Sequence, residues 1–171
     1  TALSAAYHGH DSVTTDINPF LVWLGRAKTA RYELDVVEGT RDAAARAIGL
    51  VSKRRVKAEP PPPIHNIERW WSPEALEFLC LLRRAIDQVS SPTSQERDLL
   101  LVAFCRTLIS VSNASFNHQS MSFKDAGQAA PPILVDLSES YLGDVRFVLE
   151  GAKHNPSGTS TVIMGDSRAP H

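Results

Sequence analysis

The chain has 171 residues, 43% of them apolar and 22% charged, with 18 Lys and Arg against 19 Asp and Glu. This suits one domain, at most one and a half, with a real core, and excludes a disordered tail, a collagen-like fibre and a disulfide-stapled miniprotein. A net charge of −1 argues against a bulk electrostatic clamp on nucleic acid but leaves room for a local basic face.

No apolar run approaches the ~20 residues of a membrane span, and no basic region followed by an apolar block marks a signal peptide. Cys80 and Cys105 lie inside apolar helical patterns without a Cys-x-x-Cys spacing, which predicts buried free thiols in a reducing cytoplasm. The chain opens at Thr1 in a helix-like stretch without a methionine and closes just after a strand-like one, so both ends are expected to be cut from something longer.

In chain order, residues 1–10 read as the last turns of a helix ending at Gly9, a residue suited to a C-cap. The β-branched stretch 11–15 is strand-like and runs into Asp16-Ile17-Asn18-Pro19, where Asn18 can cap a helix and Pro19 fits its first position. That helix is predicted to reach about Tyr32. Helix, strand, Asp, helix is half of an α/β unit.

An alanine-rich helix is predicted from Thr40 to Ala58 with a basic end, Lys53-Arg54-Arg55-Val56-Lys57. Between 41 and 57 there are six Lys and Arg and one acid, Asp42. Pro60 to Pro63 then stop any helix and read as a polyproline II spacer. Ser72-Pro73-Glu74 is a helix start, followed by Leu76, Leu79, Leu82, Ile86 and Val89 at helical spacing. Thr93-Ser-Gln-Glu96 has capping-box spacing before a helix over about 99–111, apolar nearly all round.

Residues 112–132 are polar and punctuated and read as one long loop. Leu137, Tyr141, Val145 and Val148 mark a further amphipathic helix. Asn155-Pro-Ser-Gly158 is a turn, and Ser160 to Met164 is a buried-type strand ending at Gly165-Asp166.

Two strand-like segments thus end in an aspartate, Val13-Thr-Thr-Asp16 and Thr161-Val-Ile-Met-Gly-Asp166. In open parallel sheets ligands bind beyond the carboxyl ends of strands, where a carboxylate accepts from a ribose diol or an amino group. A strand-end Asp that only shapes a turn is the plainer alternative.

Val13-Thr-Thr-Asp16-Ile17-Asn18-Pro19-Phe20, followed by Arg26-Ala-Lys28-Thr29, resembles the stretch after the glycine loop of S-adenosylmethionine-dependent DNA amino-methyltransferases, which act on adenine N6 or cytosine N4. Ile67 to Glu74, Arg97 to Phe104 and Ser110 to Asn113 resemble a helical insertion of one branch of that family. Val162-Ile-Met-Gly165-Asp166-Ser167-Arg168 resembles the segment before its catalytic loop.

The resemblance implies an α/β, partial Rossmann-like methyltransferase domain with a large helical insertion. Its cofactor side would be 1–37, the insertion with its polar loop 38–130, and the return to the α/β part 131–171. It implies S-adenosylmethionine as cofactor, with Asp16 on the ribose hydroxyls and Ile17 and Phe20 against the adenine. Asp166 would accept from the adenine amine, Gly165 would permit close approach, and Arg168 would face phosphate or the site mouth.

The family's glycine loop would precede Thr1 and its Pro-Pro-aromatic catalytic loop would follow His171, so no catalytic residue is assigned. Ala130-Pro131-Pro132-Ile133 lacks the polar residue before and the aromatic after that such a loop requires.

The implied setting is the cytoplasm of a bacterium or archaeon, in restriction-modification, with DNA and the remaining portion of the same methyltransferase as partners and no membrane. An RNA base methyltransferase and a non-catalytic nucleic-acid-binding fragment are the alternatives. Arg54 and Arg55 are candidate phosphate contacts, with a solvated helix end as the alternative. Asn117, His118, Gln119 and Lys124 are candidate nucleic-acid contacts in the polar loop, where amides suit base edges, with a merely packed loop as the alternative. Trp70 and Trp71 could stack on a flipped base or simply pack. His8-Gly-His10 is expected to be unliganded, and no metal is assigned.

Overall fold

The computed structural model describes residues 2–115, 122–123 and 133–168. It is a mixed α/β chain, 61% helical, so helices carry most of the architecture and the parallel sheet is small. Two compact units are present: unit 1 combines Thr1–Glu38 with Leu149–His171, and unit 2 is Gly39–Val148. The boundaries between the two units fall at 38/39 and 148/149.

In unit 1, α1 (Ala2–Tyr7) leads to β1 (Ser12–Asp16) and α2 (Pro19–Thr29). α1 closes with the Gly9 amide donating to Ala6 O and the His10 amide to Ala5 O, with Gly9 at φ 79°. This is a Schellman closure with glycine in its left-handed position. α2 starts as predicted, Asn18 Oδ1 accepting from the Phe20 amide with Pro19 behind the cap.

α2 ends at Thr29, short of the predicted Tyr32. Asn155 accounts for the difference: its side chain accepts from the Tyr32 amide and donates to the Tyr32 carbonyl, while Tyr32 Oη donates to Ala27 O. Tertiary pairing thus takes the hydrogen bonds that another helical turn would have used.

β1 pairs in parallel with β4 (Ser160–Met164), in the register Ser12 to Ser160 through Asp16 to Met164. At their amino ends the Asp11 carboxylate accepts from both the amide and the hydroxyl of Thr159. One face packs on α2, where Gly25 brings the helix backbone close to the Val162 side chain. The opposite face carries Val13, Thr15, Thr161 and Ile163, all exposed.

In unit 2, α3 (Leu34–Ser52), which begins in unit 1, starts six residues before the predicted Thr40 and runs through Gly39. Its end is early too: the amides of Arg54 and Arg55 donate to Val51 O and Leu50 O, and Arg54 sits at φ 48°. The basic run therefore lies beyond the helix, not in its last turn.

A short helix α4 (Ile67–Trp70), not predicted, precedes α5 (Pro73–Val89). Ser72 caps α5 as expected, accepting from the Ala75 amide. α6 (Gln95–Ser110) is capped by Ser94, which accepts from the Arg97 amide. The capping box predicted at Thr93 is thus displaced by one residue, leaving an arginine where the reciprocal carboxylate would stand. α6 is also less buried than expected: Leu99, Leu100, Ala103 and Thr107 are inside, but Ile109 is exposed.

In the stretch predicted as one loop, β2 (Ala114–Ser115) pairs antiparallel with β3 (Ser122–Phe123). α7 (Leu134–Ala152) buries Leu137, Tyr141, Val145 and Leu149, with Leu149 in the role expected of Val148. The core of unit 2 includes Phe78, Leu82, Ile86, Leu100 and Tyr141. Both cysteines are free and half-buried, and burial pushes both thiols up, away from the reactive thiolate. Among the described residues no helix is long and apolar enough to cross a membrane.

Candidate functional site

Parallel pairing of β1 with β4 brings Asp16 and Asp166, 150 positions apart in sequence, to the same end of one sheet. Asp16 is the last residue of β1, and Gly165 follows the last residue of β4. The Gly165 amide donates to Asp16 O at 3.0 Å, tying the two strand ends together before Asp166. Gly165 has open space where a Cβ would stand, so a side chain would be admitted there.

Asp16 is half-buried. Its Oδ1 accepts from the Asn18 amide at 2.8 Å, an Asx turn that leads the chain into α2. No other hydrogen bond of a described residue reaches its carboxylate, so Oδ2 is open to a ligand hydroxyl. Beside it Ile17 is 70% exposed and Phe20 48% exposed, the Phe20 ring lying 5.7 Å from that of Trp23. A carboxylate with one open oxygen next to an exposed aromatic and an exposed aliphatic suits a polar ring bearing hydroxyls joined to a flat apolar one.

Asp166 is differently placed. Arg168, expected toward phosphate or the site mouth, turns back on it: Nη2 donates to Oδ2 at 2.7 Å, Nε to Oδ1 at 3.0 Å, and the Arg168 amide to Oδ1 at 2.9 Å. These bonds, the guanidinium first, hold the carboxyl below its usual range. An amine seeking Asp166 must displace an arginine that is itself largely exposed. The Asp-Ser-Arg spacing is the sequence signal for this arrangement, since a side chain two residues on can fold over a strand-end carboxylate.

The predicted nucleic-acid residues divide. Arg54 and Arg55 are exposed just beyond α3, with Arg54 Nη1 3.9 Å from Glu77. Asn117, His118, Gln119 and Lys124 lie outside the described residues. Next to that loop, Phe123 of β3 packs edge-on against Trp70, ring centroids 5.1 Å apart, with the Arg69 guanidinium 4.6 Å from the Phe123 ring centroid. Asn113 is joined to the same corner, its amide donating to Trp70 O and Nδ2 to Arg69 O. Trp71 Nε1 donates to Leu108 O, a structural role. The Arg69–Trp70–Phe123 cluster is not legible in the sequence because Phe123 lies more than fifty positions from the other two.

Among the described residues no group of three or more His, Cys, Asp or Glu is placed to hold a metal ion. Searched against family models, curated proteins and solved structures, the chain matches none of them.

Proposed function

We propose that this chain is part of a Rossmann-like, S-adenosylmethionine-dependent DNA methyltransferase acting on an exocyclic amine of adenine or cytosine. The observation that carries the reading is the meeting of Asp16 and Asp166 at the carboxyl ends of two adjacent parallel strands, with Ile17 and Phe20 exposed beside them. That edge is where open α/β sheets take nucleotide-like ligands.

The cofactor, when bound, supplies an activated methyl group. Asp16 accepts from its ribose hydroxyls, Ile17 and Phe20 lie against its adenine, and Gly165 allows close approach. Asp166 accepts from the adenine amine once Arg168 has released it. The fit is good at Asp16, where one oxygen is open, and conditional at Asp166. Arg54 and Arg55 contact DNA phosphates, and Asn117, His118, Gln119 and Lys124 face the bases. The setting is cytoplasmic.

The test uses the protein encoded by the full reading frame. Tritiated methyl groups are expected in duplex DNA and not in RNA; incorporation into neither overturns the reading, and incorporation into RNA alone reassigns the substrate. Asp16→Ala removes a charged acceptor for hydroxyl groups, costing about 1.5–3 kcal/mol per lost bond. Cofactor affinity should fall at least tenfold with an intact circular-dichroism spectrum. An unchanged dissociation constant removes the ribose assignment.

A further inference from the structure

Residues 57–63 read Lys57-Ala-Glu59-Pro60-Pro61-Pro62-Pro63, and nothing in the methyltransferase reading uses the prolines. Each proline fixes φ near −65°, and each residue followed by a proline is driven to extended ψ. Glu59 through Pro62 are all followed by proline, so the segment is held in the polyproline II conformation. Pro63, followed by Ile64, is released from that constraint, and there the chain turns: the Ile64 amide donates to Pro62 O at 2.7 Å.

Upstream the chain is fastened to unit 2, with Val56 buried and Glu59 Oε1 accepting from Arg84 Nη1 at 3.2 Å. All four prolines are exposed, and no hydrogen bond of a described residue reaches the carbonyls of Pro60 or Pro61. The segment is thus rigid, solvated and held at one end.

Polyproline II has three residues per turn and rises about 3.1 Å per residue. At that spacing Lys57, Pro60 and Pro63 recur one turn apart, two prolines preceded by a cation. Lys57 is exposed and continues the run Lys53-Arg54-Arg55. A rigid spacer needs only the prolines and does not call for a basic residue in step with them.

We propose that residues 57–63 are a docking peptide for a protein domain with an aromatic-lined groove that carries carboxylates at one end. The aromatic slots take the Pro60 and Pro63 ridges, their N–H or O–H groups donate to the free proline carbonyls, and the carboxylates meet Lys57. Little ordering entropy is lost over Glu59 to Pro62, because the prolines already hold that stretch in polyproline II. This proposal stands independently of the methyltransferase reading.

The whole chain is titrated into a panel of purified SH3 domains that take basic-x-x-Pro-x-x-Pro peptides, following the fluorescence of the groove tryptophan. Saturable binding by at least one domain is expected, weakened about tenfold or more by Pro60→Ala/Pro63→Ala. Lys57→Glu should also weaken it and reduce its salt dependence, and serves as the second variant should the proline pair alter the melting temperature. No saturable binding by any domain, or binding that neither variant weakens, overturns the proposal and leaves the segment a spacer.

Discussion

Gly158 shows how a single position can constrain the fold of unit 1. A Cβ built there would meet the His10 carbonyl oxygen at 2.4 Å, and the Gly158 amide already donates to Ala6 O. The obstacle is backbone, which cannot rotate away, so Gly158→Ala should destabilise by about 2–3 kcal/mol. Gly49 and Gly151, inside helices with nothing near a built Cβ, should respond in the opposite sense. Alanine there is expected to add about 0.5–1 kcal/mol. Urea midpoints of the three variants check the contrast, and equal effects would refute it.

Arg54 poses the converse case, a side chain in the left-handed position that Gly9 fills in the same closure of α1. Arg54→Gly should stabilise the chain by about 0.5–1 kcal/mol. If Arg54 contacts phosphate as proposed, the same variant should flatten the salt dependence of DNA binding by about one unit. Greater stability together with an unchanged slope would separate the two claims and remove the phosphate contact.

Asp87 links two elements. Desolvation pushes its carboxyl up, but hydrogen bonds from Arg83 on its own helix and Arg97 on α6 outweigh it and leave the group below its ordinary range. A carboxyl held low in the folded state contributes fully above its unfolded value, about pH 4, and loses that contribution as pH falls through the folded value. The urea midpoint should therefore drop on acidification below about pH 4. In Asp87→Asn part of that acid limb should be missing. An identical acid limb in the variant would show that the pair of arginines does nothing for stability.

The elements also show what was readable in advance. Asn18-Pro19 and Ser72-Pro73 gave helix starts to the residue, because a cap is a hydrogen bond made within a few positions. The end of α2 was not readable, since Asn155 reaches it from more than 120 residues away. Nor was the end of α3, where an arginine occupies a position that favours glycine. The strand-end aspartates were visible as isolated residues, whereas the Arg168 clasp on Asp166 depends on a rotamer. The aromatic corner of Trp70 and Phe123 depends on tertiary contact.

For the whole molecule, the charges and apolar surface of the candidate site lie within unit 1. On the proposed reading, Asp16, Ile17, Phe20 and Asp166 touch only the nucleoside half of the cofactor, and the 171 residues contain no Gly-x-Gly loop to hold the methionine half. Calorimetry on the 171-residue chain should accordingly detect no low-micromolar binding of S-adenosylmethionine; tight binding would refute that division of contacts.

The pairing of β1 with β4 also sets an order of events. Ser12 and Ser160 bond across 148 residues, so the sheet closes one of the longest loops this chain can make. At about 5–20 residues per second, β1 is synthesised roughly 7–30 s before its partner. Unit 2, continuous in sequence, can fold during that interval, while the backbone groups of β1 have no neighbouring strand to pair with. The two aspartates therefore come together only after Asp166 has been made, so their meeting is among the last steps in the assembly of unit 1.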